Sequence, residues 1–185
     1  MREIKEKNIQ CIRALLNLAT YEGNYLKNSW YYVLDCISKI DYMHVLGTGA
    51  KKDAEFFNTN KRGPKNAQLQ KKLEREQALI QNSELIVQHI DFNKIDLIIQ
   101  KSVNLDADAI IDFITNLCIV SKEELNDPDN PRKFSLQRLV EVADFNMGRI
   151  RFVWSKIWQA LSEHFSIVGS HSNLNVALYA IDSLR

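Results

Sequence analysis

Apolar residues recur along this chain at helical spacing, with few alternating stretches. Ile9, Ile12, Leu15, Leu16 and Ala19 predict an amphipathic helix over about 5–20. "YEGN" interrupts it, with Gly23 suited to a left-handed cap. A second helix is expected over about 28–40, with Asn28 or Ser29 as N-cap and Trp30, Val33, Leu34 and Ile37 on its apolar face. "GTGAKKD" then opens an irregular basic stretch to about 66, expected to be partly mobile, with a turn at Gly63-Pro64. Over 67–90 the narrow stripe Leu69, Leu73, Ile80 and Val87 predicts a long charged helix that packs on one side only.

The second half reads similarly. "DFNKIDLIIQKS" is a shorter helix, and Asp106 caps the apolar "ADAIIDFITNLCIV". Ser121 and Glu124 have capping-box spacing for a separate short turn. Pro128 and Pro131 make "NDPDNPR" a loop. Ser135 is expected to cap a helix to about 146, and another should run over about 149–168, to Gly169. Asn173 caps the last, "NVALYAIDSLR", whose apolar character at the chain end suggests a longer parent protein.

Two of these units superimpose. Shifted by 124 positions, Ile12 falls on Leu136, Leu15 on Leu139, Ala19 on Ala143 and Tyr21 on Phe145. Leu26 then falls on Ile150, Trp30 on Trp154, Val33 on Ile157 and Ile37 on Leu161, without a gap. One helical hairpin cannot bury its whole apolar face, so neighbouring hairpins bury it for each other. The expectation is an all-α, armadillo/HEAT-like helical-repeat solenoid, one domain over 1–185 with a basic insertion at about 47–66. Trp30 and Trp154 would each fill the wedge between the helices of a hairpin.

Composition narrows the function. The formal net charge is +1, which gives no global drive toward nucleic acid. The balance hides segregation: 51–75 holds eight Lys/Arg against three Asp/Glu, and 104–130 holds seven Asp/Glu against one Lys. Cys11, Cys36 and Cys118 lie in helical patterns without CxxC spacing and read as buried free thiols in a reducing compartment. No apolar run reaches membrane-span length, and "MREIKEKNIQC" lacks a signal-peptide core. The reading is a soluble, cytosolic-type chain.

Catalytic chemistry is not apparent. His44, His89, His164 and His171 are scattered, and no P-loop, GxGxxG, GxSxG or HExxH occurs. Thiols on apolar faces, as at Cys36 and Cys118, favour the protonated form over a nucleophile. Neither enzyme activity nor a cofactor nor a metal is expected. In "NMGRIR", Arg149 and Arg151 sit where two helices meet, beside Gly148. Two guanidiniums there could pair with carboxylates or phosphates, or could cap and salt-bridge the helix ends.

Three stretches carry a family resemblance: "EKNIQCIRALLNLATYEGNYLKNSWYYVLDCISKID", "LDADAIIDFITNLCIVSKEEL" and the block from "PRKFSLQ" to the chain end. They resemble the large guanine-nucleotide exchange factors for ADP-ribosylation-factor GTPases, in particular the brefeldin-A-inhibited, trans-Golgi type. The similarity is to the first homology region downstream of the catalytic Sec-seven domain. It is weak over about 47–93. The strongest motif positions are Asn24, Asn28, Ser29 and Trp30, then Asn146, Met147, Gly148, Arg149, Ile150, Arg151, Trp154 and Trp158.

The resemblance implies a helical-repeat regulatory region without the glutamate finger of the catalytic domain. Its implied partners are a GTP-loaded ADP-ribosylation-factor-type GTPase and other domains of the parent, with no nucleic acid. Its implied location is cytoplasmic, peripherally on the trans-Golgi membrane. Asn24, Asn28, Asn146, Arg149 and Arg151 are the candidate partner-binding residues. Lys51, Lys52, Lys61, Arg62 and Lys65 are candidates for anionic lipid, which attracts each basic residue by about 1 kcal/mol near the surface.

Overall fold

A computed structural model describes residues 4–50, 53, 57, 69–127 and 130–184, with side chains of the third helix described from residue 78. Among these residues the chain forms eight α-helices and no strand. They are α1 (Glu6–Tyr21), α2 (Trp30–Thr48), α3 (Leu69–His89), α4 (Asn93–Lys101), α5 (Ala107–Leu125), α6 (Phe134–Asn146), α7 (Arg151–Gly169) and α8 (Leu174–Asp182). Single 3-10 turns at Gly23–Tyr25 and Lys27–Ser29 join α1 to α2, and another at Ser102–Asn104 follows α4.

The all-α class follows from the helical periodicity. Helix α5 is central, packing against α2, α6 and α7. It can do so because Ile110, Phe113, Ile114, Leu117 and Val120 are all buried. The two units superimposed by the 124-residue shift do become α1–α2 and α6–α7. Their second helices bury equivalent positions, Val33 with Ile157 and Ile37 with Leu161. Their first helices do not: α1 buries Ile9, Leu16 and Ala19, whereas α6 buries Leu136, Leu139 and Val142. Leu18 is exposed where its counterpart Val142 is buried. Within each unit the two helices touch little, and each packs more on other helices.

Several expected boundaries shift for local reasons. Helix α2 continues through Gly47 to Thr48. Gly47 is a crossing point, because a Cβ there would lie 2.9 Å from Val87 Cγ2 and 3.0 Å from Ser83 O of α3. The left-handed cap belongs to Gly49, at φ 70°, with Ala50 N donating to Val45 O. Gly23 is no such cap, and the positive φ of that elbow falls on Lys27, at 46°. Ser121 and Glu124 do not open a turn, because α5 runs through both and buries them. Lys133, not Ser135, holds the N-cap position of α6. Asn173 does cap α8, its Oδ1 accepting from Asn175 N at 3.0 Å. Cys36 and Cys118 are partly buried, but Cys11 is exposed, since it falls on the outer face of α1.

A buried polar cluster ties α2, α5 and α6. The Glu124 carboxylate accepts from Ser38 Oγ and from Ser135 N at 2.8 Å. Arg132 stands 3.3 Å from the same carboxylate. It also donates to Ser38 O at 2.6 Å and to Ser38 Oγ. Burial pushes the Glu124 pKa up, and Arg132 pulls against it. Nearby, burial raises Asp41 to about 6, with Arg132 again opposing. One turn earlier on α5, His164 lies against Ser121 Oγ at 3.0 Å, and burial lowers its pKa to about 4.

Removing Arg132 leaves a buried carboxylate without its cation. Arg132→Ala should cost about 3–5 kcal/mol in urea unfolding, whereas Lys39→Ala, at an exposed i,i+4 pair with Asp35, should cost under about 0.5 kcal/mol.

The buried titratable groups act in opposite senses. His164 has a folded pKa below its unfolded value of about 6.5, so its stabilisation holds above that pH and fades toward pH 4. That is a loss of about 2 kcal/mol by pH 5. Asp41 has a raised folded pKa, so the native state takes up its proton first and gains about 1 kcal/mol over the same range. Glu124 shifts in the same direction as Asp41. Denaturant midpoints at pH 7.5 and 5 should therefore differ little in the wild type. They should fall more steeply with acid in Asp41→Asn, and rise with acid in His164→Gln.

Candidate partner-binding surface

Both elbows converge on the turn that follows α4. At the first elbow, Trp30 is buried, donates from Nε1 to Gly23 O at 3.1 Å, and meets the Phe113 ring edge-on at 4.6 Å. Gly23 is a close approach there: a Cβ would lie 2.7 Å from Leu105 Cδ2 and 3.1 Å from Trp30, so a larger residue has to displace the Leu105 side chain. Asn24 Oδ1 accepts from Asp106 N at 2.9 Å and so ties the elbow to the start of α5.

The second elbow grips the same turn from the other side. Asn146 is fully buried and donates to Ser102 Oγ at 3.0 Å and Val142 O at 2.8 Å. Its Oδ1 accepts from Arg149 Nε at 2.6 Å. Arg149 Nη2 donates to the carbonyls of Ser102, Val103 and Leu105 at 3.0, 2.9 and 2.7 Å. These acceptors are backbone carbonyls at a helix end, where four C=O groups lack intrahelical partners. Of the two roles open to Arg149, this geometry is the capping one, and partial burial lowers its pKa.

The sequence-selected residues therefore divide. Asn24, Asn146 and Arg149 are brought together around 102–106 and hold the fold there. Asn28 and Arg151 are exposed on the two elbows, and Arg151 has no ion-pair partner among the described residues. Lys51, Lys52, Lys61, Arg62 and Lys65 lie outside the described residues. Within that basic stretch, Phe57 is buried with its carbonyl accepting from Asn173 Nδ2 at 3.2 Å, and Asp53 pairs with Lys133 at 3.8 Å. Trp154 is only half buried and stacks on the exposed Trp158 at 6.5 Å. Of the two expected wedge tryptophans only Trp30 is enclosed, between its elbow and α5.

The converged elbows leave apolar side chains outside. Tyr21, Tyr25, Met147, Ile150 and Phe152 are 63–79% exposed, and Val103 lies between them on the turn. The pairing of Tyr21 with Phe145 in the 124-residue shift marked an aromatic recurring at the end of each first helix, and both are exposed. Nothing in the periodicity separated such positions from core. Beside Tyr21 and Tyr25 a cleft of about 220 Å³ opens, with Trp30, Ile98 and Leu105 among its lining and Lys101 on its wall. Lys101 Nζ sits 4.7 Å from the centre of the Tyr21 ring.

No protein-family model matches the chain. Individual proteins do. It is 37% identical over 223 aligned residues to "Brefeldin A-inhibited guanine nucleotide-exchange protein 2" of Arabidopsis thaliana, covering 99% of this chain and 12% of that protein. It is 37% identical over 202 residues to "Brefeldin A-inhibited guanine nucleotide-exchange protein 1" of Homo sapiens, covering 99% of this chain and 11% of that protein. The chain matches a region of the brefeldin A-inhibited guanine nucleotide-exchange protein family along nearly its whole length.

It corresponds to a region of that family, spanning about an eighth of the length of the relatives it matches. Among the described residues no helix is long and apolar enough to cross a membrane.

The exchange-protein region should depend on the clamp for stability. Arg149→Ala removes the side-chain donor of the Val103 and Leu105 carbonyls and one of the two donors of Ser102 O, and should cost about 2 kcal/mol in thermal or urea unfolding. Arg151→Ala, one elbow position away and exposed, should stay within about 0.5 kcal/mol of wild type.

Proposed function

We propose that this region is a non-catalytic regulatory module of an ADP-ribosylation-factor exchange factor. It binds the activated GTPase and thereby holds its parent on the cytoplasmic face of the trans-Golgi membrane in vesicle traffic. The observation that carries this reading is the elbow end, where a rigid clamp sets apolar and aromatic side chains in the solvent. Aromatic and aliphatic anchors of this kind, with arginine nearby, are the usual centre of a protein interface. The relatives' exchange-protein name supplies the partner class. The exposed Asn28 and Arg151 are the polar residues of this surface placed to touch that partner, while Asn24, Asn146 and Arg149 set its shape.

A second reading is favoured by another surface. Ile167 on α7, Leu174, Leu178 and Ile181 on α8, and Leu184 beyond it are all exposed. Such a face suits packing against another domain of the parent, as in an intramolecular scaffold or autoinhibitory module.

Co-flotation separates these readings. The purified region is mixed with vesicles carrying the GTPase locked with GTP or GDP, and with bare anionic vesicles. Recovery with the GTP form alone is expected. Equal recovery on bare vesicles would transfer the role to the basic stretch with Lys51, Lys52, Lys61, Arg62 and Lys65. No recovery in any arm would favour the scaffold.

A further inference from the structure

We infer that the cleft at the first elbow is the docking pocket for the GTPase, taking an apolar side chain over Trp30 and a carboxylate on Lys101. The inference rests on the GTPase-binding reading above and names the site for it.

Three observations place the contact here. First, the cleft is a preformed cavity of about 220 Å³, large enough for one apolar side chain. Trp30, Ile98 and Leu105 form its floor, Thr20, Asn24, Ser102 and Asn104 add polar groups to its lining, and Tyr21 and Tyr25 stand on its rim. Exposed tyrosines beside an apolar floor are the residue type most often found at interface hot spots. Second, the cleft has a cation to offer. Lys101 rests over the face of Tyr21 and has no carboxylate partner among the described residues. An acidic group arriving at the rim would meet an ammonium already held in place, and would lose little of its own solvation before contact. Third, the walls are rigid. Trp30 donates to Gly23 O, Asn24 Oδ1 accepts from Asp106 N, and the carbonyl of Leu105 is gripped by Arg149. The cleft therefore has its shape before a partner arrives.

The charge of the surrounding end argues for a protein occupant over a lipid surface. The basic Lys27, Lys101 and Arg151 are interspersed with Glu22, Asp106 and Asp144. A membrane contact gains from a one-signed basic face. A mixed face with a single seated cation instead matches a partner with a defined acidic position.

The test compares binding of the wild-type region, Lys101→Glu, Tyr25→Ala and the remote control Lys39→Glu. The probe is an ADP-ribosylation-factor GTPase loaded with a non-hydrolysable GTP analogue or with GDP, titrated calorimetrically without membranes. Circular dichroism melts confirm that each variant is folded. Wild type should prefer the GTP form, Lys101→Glu should weaken that binding at least tenfold, Tyr25→Ala several-fold, and Lys39→Glu not at all. A wild type that binds neither form, or both equally, sinks the GTPase reading and the cleft with it. A wild type that prefers the GTP form while Lys101→Glu binds as well leaves that reading standing and overturns the cleft alone. Equal losses in Lys101→Glu and Lys39→Glu would reduce the effect to net charge and overturn the cleft too.

Discussion

Glu124 is the group around which the helices are arranged. Its carboxylate lies inside the molecule, where an unpaired charge would be prohibitively costly. The surrounding chain answers with a hydroxyl from α2, a backbone N–H from the start of α6, and the guanidinium of Arg132. Each partner comes from a different segment. Satisfying one carboxylate therefore fixes the positions of α2 and α6 on α5 at once. The apolar faces supply most of the driving force, but they are tolerant of sliding. The directional bonds to Glu124 are not, and they set the register in which those faces meet.

How much of this was legible depended on what each residue type can announce. Helix existence was, because periodic apolar faces such as that of α5 have few other uses. The N-cap at Asn173 was, because an asparagine before an apolar run has a local role. Glu124 and Ser121 were misread, because at three-residue spacing around a boundary they match a local cap. Only the partners from α2, α6 and α7 reveal them as long-range. Gly47 and Gly23 were misread for a related reason. Both are small for the sake of a neighbour distant in sequence, α3 in one case and Leu105 in the other. The 124-residue match found the right pairs of helices but not the rotation of α1 relative to α6, since an apolar residue reads alike whether it faces in or out.

The elbow end shows the same division at the level of the candidate site. Asn24, Asn146 and Arg149 stood out because their chemistry is distinctive, and the structure gives that chemistry to the backbone of 102–106. Of the side chains left facing solvent, Tyr21 and Ile150 entered the 124-residue match only as apolar counterparts of Phe145 and Leu26, and Tyr25 and Phe152 were not singled out. Distinctive polar residues build the platform and ordinary apolar ones stand on it. The most distinctive polar residues of this segment are thus spent on its own frame.

The exposure of Cys11 has a practical consequence. Of the three thiols it alone stands in solvent, while burial raises the pKa of Cys36 and pushes that of Cys118 up to about 12. Maleimide chemistry at neutral pH consumes thiolate, so the native sequence already discriminates among its own sulfurs. A single dye placed there sits on α1 about 15 Å of helix before Tyr21. The unaltered protein thus carries its own spectroscopic handle, fixed to the same rigid rod that ends at the cleft.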